Sequence, residues 1–243
     1  MDKKTGRKIN FLMAYAAVST IIIAYTVFRS FTSGDIKKFD EIEVKKITVV
    51  GENNLPRIVL SNETRQDPGR MNSKEMDKRE RPAGIIFFND QGDECGGIIH
   101  QTKIKGGKII SGMSFTMDNY KDDQVIQILN DEYYADGDAS IERGISINQY
   151  PVGTNIEERN KKIAKINKIK NEKERTSELN KLWEKEGPVN RLFMGRTRGN
   201  SSGLFLAGPD GKPKMMIYVD EKGNPKIQTF NDKGEIKDFI ENK

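Results

Sequence analysis

The chain has one cysteine, one histidine and one tryptophan in 243 residues. A lone Cys95 excludes an intrachain disulfide, so stability has to come from burial, and the thiol is itself expected inside. A lone His100 excludes every metal motif needing two histidines, H-E-x-x-H included, and any Ser-His-Asp or Cys-His set would have to use it. It stands in the alternating run Gly97-Ile-Ile-His-Gln-Thr-Lys-Ile104, where a strand position is expected. No recognisable catalytic set remains; the chain reads as a non-enzyme without a cofactor. The first forty residues hold no cysteine, which excludes a lipoprotein-type anchor. Net charge is scarce as well. The formal +5 comes largely from the first 28 residues, four basic and one acidic, and the remainder carries 37 Lys and Arg against 35 Asp and Glu. A nearly neutral body has no electrostatic footprint for nucleic acid.

What is present begins with Phe11–Phe28, eighteen residues without a charge. As a helix this run reaches about 27 Å, close to the roughly 30 Å of bilayer hydrocarbon. Lys3, Lys4, Arg7 and Lys8 precede it, and such flanks stay cytoplasmic. The expected order is a cytoplasmic tip over 1–10, a transmembrane helix over 11–28, a stalk over 29–40 and an exterior β-rich domain over 41–243. A cleaved signal peptide has the same charged start but a shorter apolar core. Here the run exits through Arg29-Ser-Phe-Thr-Ser-Gly34, a poor cleavage site. Ala16, Thr20 and Ala24 recur every four residues and give the helix a small-residue face on which a second membrane helix can pack.

The exterior part alternates in short β-branched runs. Strands are expected over 41–50, 56–61, 83–89, 96–104, 108–117, 124–130, 141–150, 192–196, 203–207, 214–219 and 226–230, with 62–82 as a long exposed loop. Over 155–186 the period changes: Ile156, Ile163, Ile166, Ile169, Leu179, Leu182 and Trp183 recur at three, four or seven, as in a long amphipathic helix or helical hairpin. Three turns end alike, in Leu55-Pro-Arg-Ile, Lys212-Pro-Lys-Met and Asn224-Pro-Lys-Ile. Proline as a strand's first residue spends no ladder donor. The fold class expected is mainly β, an antiparallel meander forming a barrel or sandwich with a helical insertion.

Several runs, Ile42-Glu-Val-Lys-Lys-Ile-Thr-Val-Val50, Pro56-Arg-Ile-Val-Leu-Ser-Asn62, Ala83-Gly-Ile-Ile-Phe-Phe-Asn-Asp-Gln-Gly92 and Leu192-Phe-Met-Gly-Arg-Thr-Arg198, resemble an uncharacterised bacterial family of membrane-anchored or secreted β-rich proteins. The resemblance covers most of 41–236 and implies a shared β-rich exterior domain, with no activity, ligand or site residue.

Among chemical candidates, Asp118, Asp122 and Asp123 crowd one turn and could hold calcium, although Asp in turns already has a structural role. The same acidic turns could serve a hydrolase. Arg196 and Arg198, two apart, are expected on one strand face, where they could grip an anion. Tyr133, Tyr134 and Tyr150 are the aromatics for a surface ligand or glycan. The leading expectation is an N-in, single-pass protein whose exterior domain binds or scaffolds other envelope proteins; a ligand- or glycan-binding domain is the alternative.

Overall fold

The computed structural model describes residues 3–32 and 38–240. The first two residues of the tip, stalk residues 33–37 and the last three residues lie outside the described residues. The chain divides into two compact units, Met1–Glu43 and Val44–Lys243. The first holds helix α1 (Lys3–Thr32), in which an eighteen-residue window within Lys4–Phe28 has a mean hydropathy of 2.0, long and apolar enough to cross a membrane. The Thr20 and Thr26 hydroxyls donate back to the Ala16 and Ile23 carbonyls at 2.9 Å, so the apolar run carries no loose hydroxyl at either position.

The second unit strings its strands in chain order: β1 (Lys46–Val50), β2 (Pro56–Ser61), a short pair β3 (Arg70–Met71) and β4 (Lys74–Glu75), β5 (Ala83–Phe88), β6 (Glu94–Lys105), β7 (Lys108–Asp118), β8 (Gln124–Ala135) and β9 (Asp138–Gln149). Helices α2 (Ile156–Ile166) and α3 (Glu172–Glu186) follow, then β10 (Val189–Arg196), β11 (Ser202–Ala207), β12 (Pro213–Val219), β13 (Pro225–Phe230) and β14 (Ile236–Asp238). Twelve strands form one antiparallel sheet in the order β1-β2-β5-β6-β7-β8-β9-β10-β11-β12-β13-β14. The meander is as expected, but it forms neither a barrel nor a sandwich. β1 and β14 are unpaired with each other, so the sheet stays open, and the other sheet among the described residues is just β3–β4.

Turn chemistry explains the meander. Among the described residues, six five-residue turns, at 51–55, 89–93, 197–201, 208–212, 220–224 and 231–235, share two bonds, and the 119–123 turn has the same two with its positive φ one residue earlier, at Lys121. The first residue's N–H donates to the fifth carbonyl, and the fourth N–H donates to the first carbonyl. In the six the fourth residue has positive φ, from 59° at Asn54 to 88° at Gly223. Glycine or asparagine is the residue that adopts this conformation cheaply, which sets the Asx/Gly spacing of the sequence. Asn89, Asp220 and Asn231 each accept two backbone N–H bonds within their turns, closing them from the side chain. Pro56, Pro213 and Pro225 each open a strand.

Some boundaries move. Residues 41–45 lie outside the first strand, because β2 ends at Ser61 opposite Lys46 and offers them no partner. β8 and β9 outrun their expected ends, continuing through Asp131, Glu132 and Asp138 to a two-residue turn at Asp136-Gly137. The 62–82 segment is not wholly exposed: it carries β3–β4 and buries Asp67 and Met71.

Directly opposed residues share a sheet face, and over β2, β5, β7 and β9 the two faces differ in burial. One, here called inner, carries Val59 and Ile86, each 1% exposed, and the buried Thr116 and Ser146. Further along the inner face Phe193, Phe205 and Tyr218 form a chain of tilted rings, 6.1 and 5.5 Å between centroids. Gly144 and Gly195 face each other beside these rings. A Cβ on Gly195 would run into the Arg143 carbonyl, and one on Gly144 would stand 3.0 Å from the Phe193 ring, so absent side chains let the rings lie down on the strands.

Helices α2 and α3 begin alike. Asn155 and Asn171 are N-caps whose side chains accept from the Glu158 and Glu174 N–H at 2.8 and 3.1 Å. Of the apolar stripe, Leu182 is buried, Ile156, Ile163, Ile166, Ile169 and Leu179 are half-buried, and Trp183 is 46% exposed. Asn155→Ala is expected to cost about 1 kcal/mol of stability, read by chemical denaturation. An unchanged midpoint would mean that packing alone holds the start of α2.

Candidate functional site

The outer face inverts the usual pattern of a solvated sheet. Following the register from strand to strand, Ile47, Leu60, Ile85, Ile98, Phe115, Ile128, Ile145, Met194, Leu204, Ile217 and Ile227 stand opposite one another in a single row. Two residues along each strand runs a second row: Val49, Ile58, Phe87, Gly96, Met117, Ile126, Ile147, Leu192, Leu206 and Met215. The first row contains no charged or hydrogen-bonding side chain, and the second none before Thr229, opposite Met215 at its β13 end. Yet Leu60 is 45% exposed, Ile128 and Met194 48%, and Ile217 41%. A β face normally hides its apolar side and wets its polar one. Here Thr116, Gln127 and Ser146 occupy the enclosed side and isoleucines face outward.

The strip is large. Eleven strands about 4.8 Å apart span roughly 50 Å, and two rows cover roughly 13 Å of strand, giving an area on the order of 650 Å². Patches on monomers rarely exceed a few hundred Å². One margin of the strip is polar, a row running through His100, Asn130, Arg143, Arg196 and Ser202.

The sequence-derived candidates fall in different places. Arg196 and Arg198 do not share a face. β10 ends at Arg196, and the turn carries Arg198 around to the inner side. Arg196 lies on the outer margin and donates to the Ile141 carbonyl and to Asn200 Oδ1 at 3.1 Å. Arg198 pairs with Asp131 and, at 3.1 Å, with Glu142. It closes one side of an inner concavity of about 360 Å³ over β6–β9, floored by Ile99, Ser114 and Leu129 and edged by Gln101 and Gln127.

The acidic turn is divided among separate tasks. Asp122 is fully buried in an ion pair with both Nη atoms of Arg159, itself 2% exposed, and accepts from Thr154 Oγ1 at 2.9 Å. Arg159 stacks over Tyr150 at 4.8 Å and Trp183 at 5.8 Å and donates to the Glu186 carbonyl. This clamp ties the β7–β8 turn to both helices. Asp123 caps the Gln124 N–H. Asp118 has one buried oxygen without a hydrogen-bond partner among the described residues. Its carboxyl is pushed up to about 7, by burial first and then by Glu94 and Asp123. Glu94 is held by Arg81 through a two-pronged pair at 2.6 and 2.8 Å. Among the described residues no group of three His, Cys, Asp or Glu could hold a metal ion, so the three aspartates are not gathered into a calcium cage.

Cys95 is half-buried rather than buried, at the bulge where β6 slips past β5. Burial, then Asp118 and Glu94, push its thiol up, away from the reactive thiolate. His100 is an exposed strand residue. Tyr133 and Tyr134 point to opposite faces near one end of β8, while the buried Tyr150 follows the far end of β9, roughly 35 Å away along the strand. The three make no common platform. On α1, Ala16, Thr20 and Ala24 are all exposed.

The outer strip escaped sequence reading for a definable reason. Each strand's alternation says which residues share a face, but not that the apolar face is the open one. No protein-family model, no curated protein and no solved structure matches the chain. The likeness to the bacterial family therefore rests on the quoted residue runs.

Proposed function

We propose that this chain is a single-pass, N-in membrane protein whose extracytoplasmic sheet docks a second protein of the envelope on its outer apolar face. The observation that carries this reading is the pair of apolar rows across ten strands, eight of whose side chains are 37–49% exposed. Its area, roughly 650 Å², approaches the ~800 Å² per partner of a specific protein interface. A band two rows high, roughly 13 Å, is half the ~25 Å apolar band of a membrane barrel, so a protein fits it better than lipid. The apolar centre and the polar margin through Asn130, Arg143 and Arg196 match the core-and-rim build of interfaces. The basic flank before Phe11 supports the orientation, and the length of the apolar run supports retention as an anchor.

Ile128→Lys places a cation at the middle of the strip and Ile217→Lys one near its β13 end, at side chains that already reach solvent, so the fold is expected to persist. Affinity purification of the full-length variant in mild detergent is expected to lose copurifying envelope proteins by about tenfold or more. Undiminished recovery with an unaltered melting curve would overturn the reading. Protease digestion of spheroplasts tests the orientation: the sheet unit is expected to be cut, and its protection would contradict it.

A further inference from the structure

The first strand of the sheet is half of the strand that the sequence encodes. Glu41–Val44 alternates as β1 does, with the phase reset at Lys45-Lys46, but β1 is confined to Lys46–Val50 because β2 runs out at Ser61. The last bond of that ladder is from the Asn62 N–H to the Lys45 carbonyl, at 3.2 Å. Upstream, residues 41–44 join no ladder. Among the described residues the other side of β1 is unpaired along its whole length, β2 being its one neighbour there. Sheet edges of this kind are usually blunted by shortness, charge or proline. β14, the opposite edge, is three residues long and carries Lys237 and Asp238. β1 has the β-branched sequence KITVV and no proline.

The charges show what fits this edge. Asp40, Glu41 and Glu43 precede Lys45 and Lys46, acid first and base second. Such a strand complements a copy of itself running in the opposite direction and repels one running in parallel. We propose that two copies of this chain pair edge to edge through residues 38–50, antiparallel about a two-fold axis at Val44. In that register Glu43 faces the partner's Lys45, and Lys45 faces the partner's Glu43. Diagonally, Glu41 meets the partner's Lys45 and Asp40 the partner's Lys46. β1 then lies between β2 and residues 38–42 of the partner subunit, and each copy supplies the ladder that the other lacks. Twelve strands on either side join into one sheet, and Ile47 and Val49 carry the outer rows up to the seam. This self-association is separate from the docking of an envelope protein and stands or falls without it.

The test uses full-length protein in its membrane, with Cys95→Ser as background. Val44→Cys is expected to give an oxidised dimer, because the two-fold sets the pair opposite each other. Val49→Cys, placed opposite the partner's Phe39, is expected to give little. Glu43→Lys or Lys45→Glu turns two attractions into repulsions and is expected to reduce the V44C dimer by about tenfold. The double exchange E43K/K45E is expected to restore it. Equal cross-linking at 44 and 49 would mean that tethering by α1 alone brings the chains together and would overturn the register. A failure of E43K/K45E to restore, or a wild-type monomer by light scattering in mild detergent, would overturn the pairing.

Discussion

Asp122→Ala is expected to destabilise the sheet unit by about 3–5 kcal/mol, the largest single-residue loss outside its apolar centre. Removing one partner of a buried ion pair strands the other charge without compensation, and that cost exceeds what the pair itself contributes. Arg159 has little to turn to, being 2% exposed and sandwiched between Tyr150 and Trp183. The effect is expected as a lowered denaturation midpoint of the full-length chain in detergent. Because intact pair and well-packed apolar replacement are close in free energy, Asp122→Leu with Arg159→Met is expected to recover most of the loss. A single variant within about 1 kcal/mol of wild type would mean that α2 and α3 are held by Leu182 and its neighbours rather than by the clamp.

Asp118→Asn is expected to change how stability depends on pH. In the unfolded chain this carboxyl titrates near 3.9; in the fold it is pushed up to about 7. Between those values the folded state keeps a proton that the unfolded state has released. Asp118's contribution to stability therefore falls as pH rises through that window, and the deficit is complete above about pH 7. Each pH unit is worth about 1.4 kcal/mol per proton, so the ceiling is about 4 kcal/mol, lowered by the carboxyl's residual solvent contact. Asparagine keeps the shape without the charge. The asparagine variant is expected to exceed wild type in stability at pH 8 by about 2 kcal/mol or more, and the difference is expected to shrink toward pH 4. Denaturation at pH 4.5 and 8 reads it. A constant difference would place the Asp118 carboxyl in ordinary solvent.

Much of the fold was legible in the sequence, and the physical reasons are specific. Positive φ at the fourth turn position demanded Gly or Asn, so Gly92, Gly211, Gly223 and Gly234 marked the hairpins. Alternation located the strands, and a proline opened three of them. Strand ends carrying charge were harder: Asp131 and Glu132 belong to β8 because cross-strand partners in β7 and β9 pair with them regardless of polarity. Closure was not legible at all. Alternation is the same in a barrel, a sandwich and an open sheet, and the β-branched β1 reads like any interior strand. The Arg159–Asp122 clamp joins positions 37 apart and has no local signature. The outer strip is the plainest case, because which face of a sheet is covered depends on the whole arrangement of strands rather than on any one of them.

The most direct measurement of the central claim is site-specific photocross-linking in intact cells. A photoreactive side chain at Ile128 or Ile217 on the outer face is compared with one at Thr116 or Phe205 on the inner face. The expected result is a discrete adduct with another envelope protein from Ile128 and Ile217 and none from Thr116 and Phe205. Adducts from the inner positions alone would contradict the outer face as the docking surface.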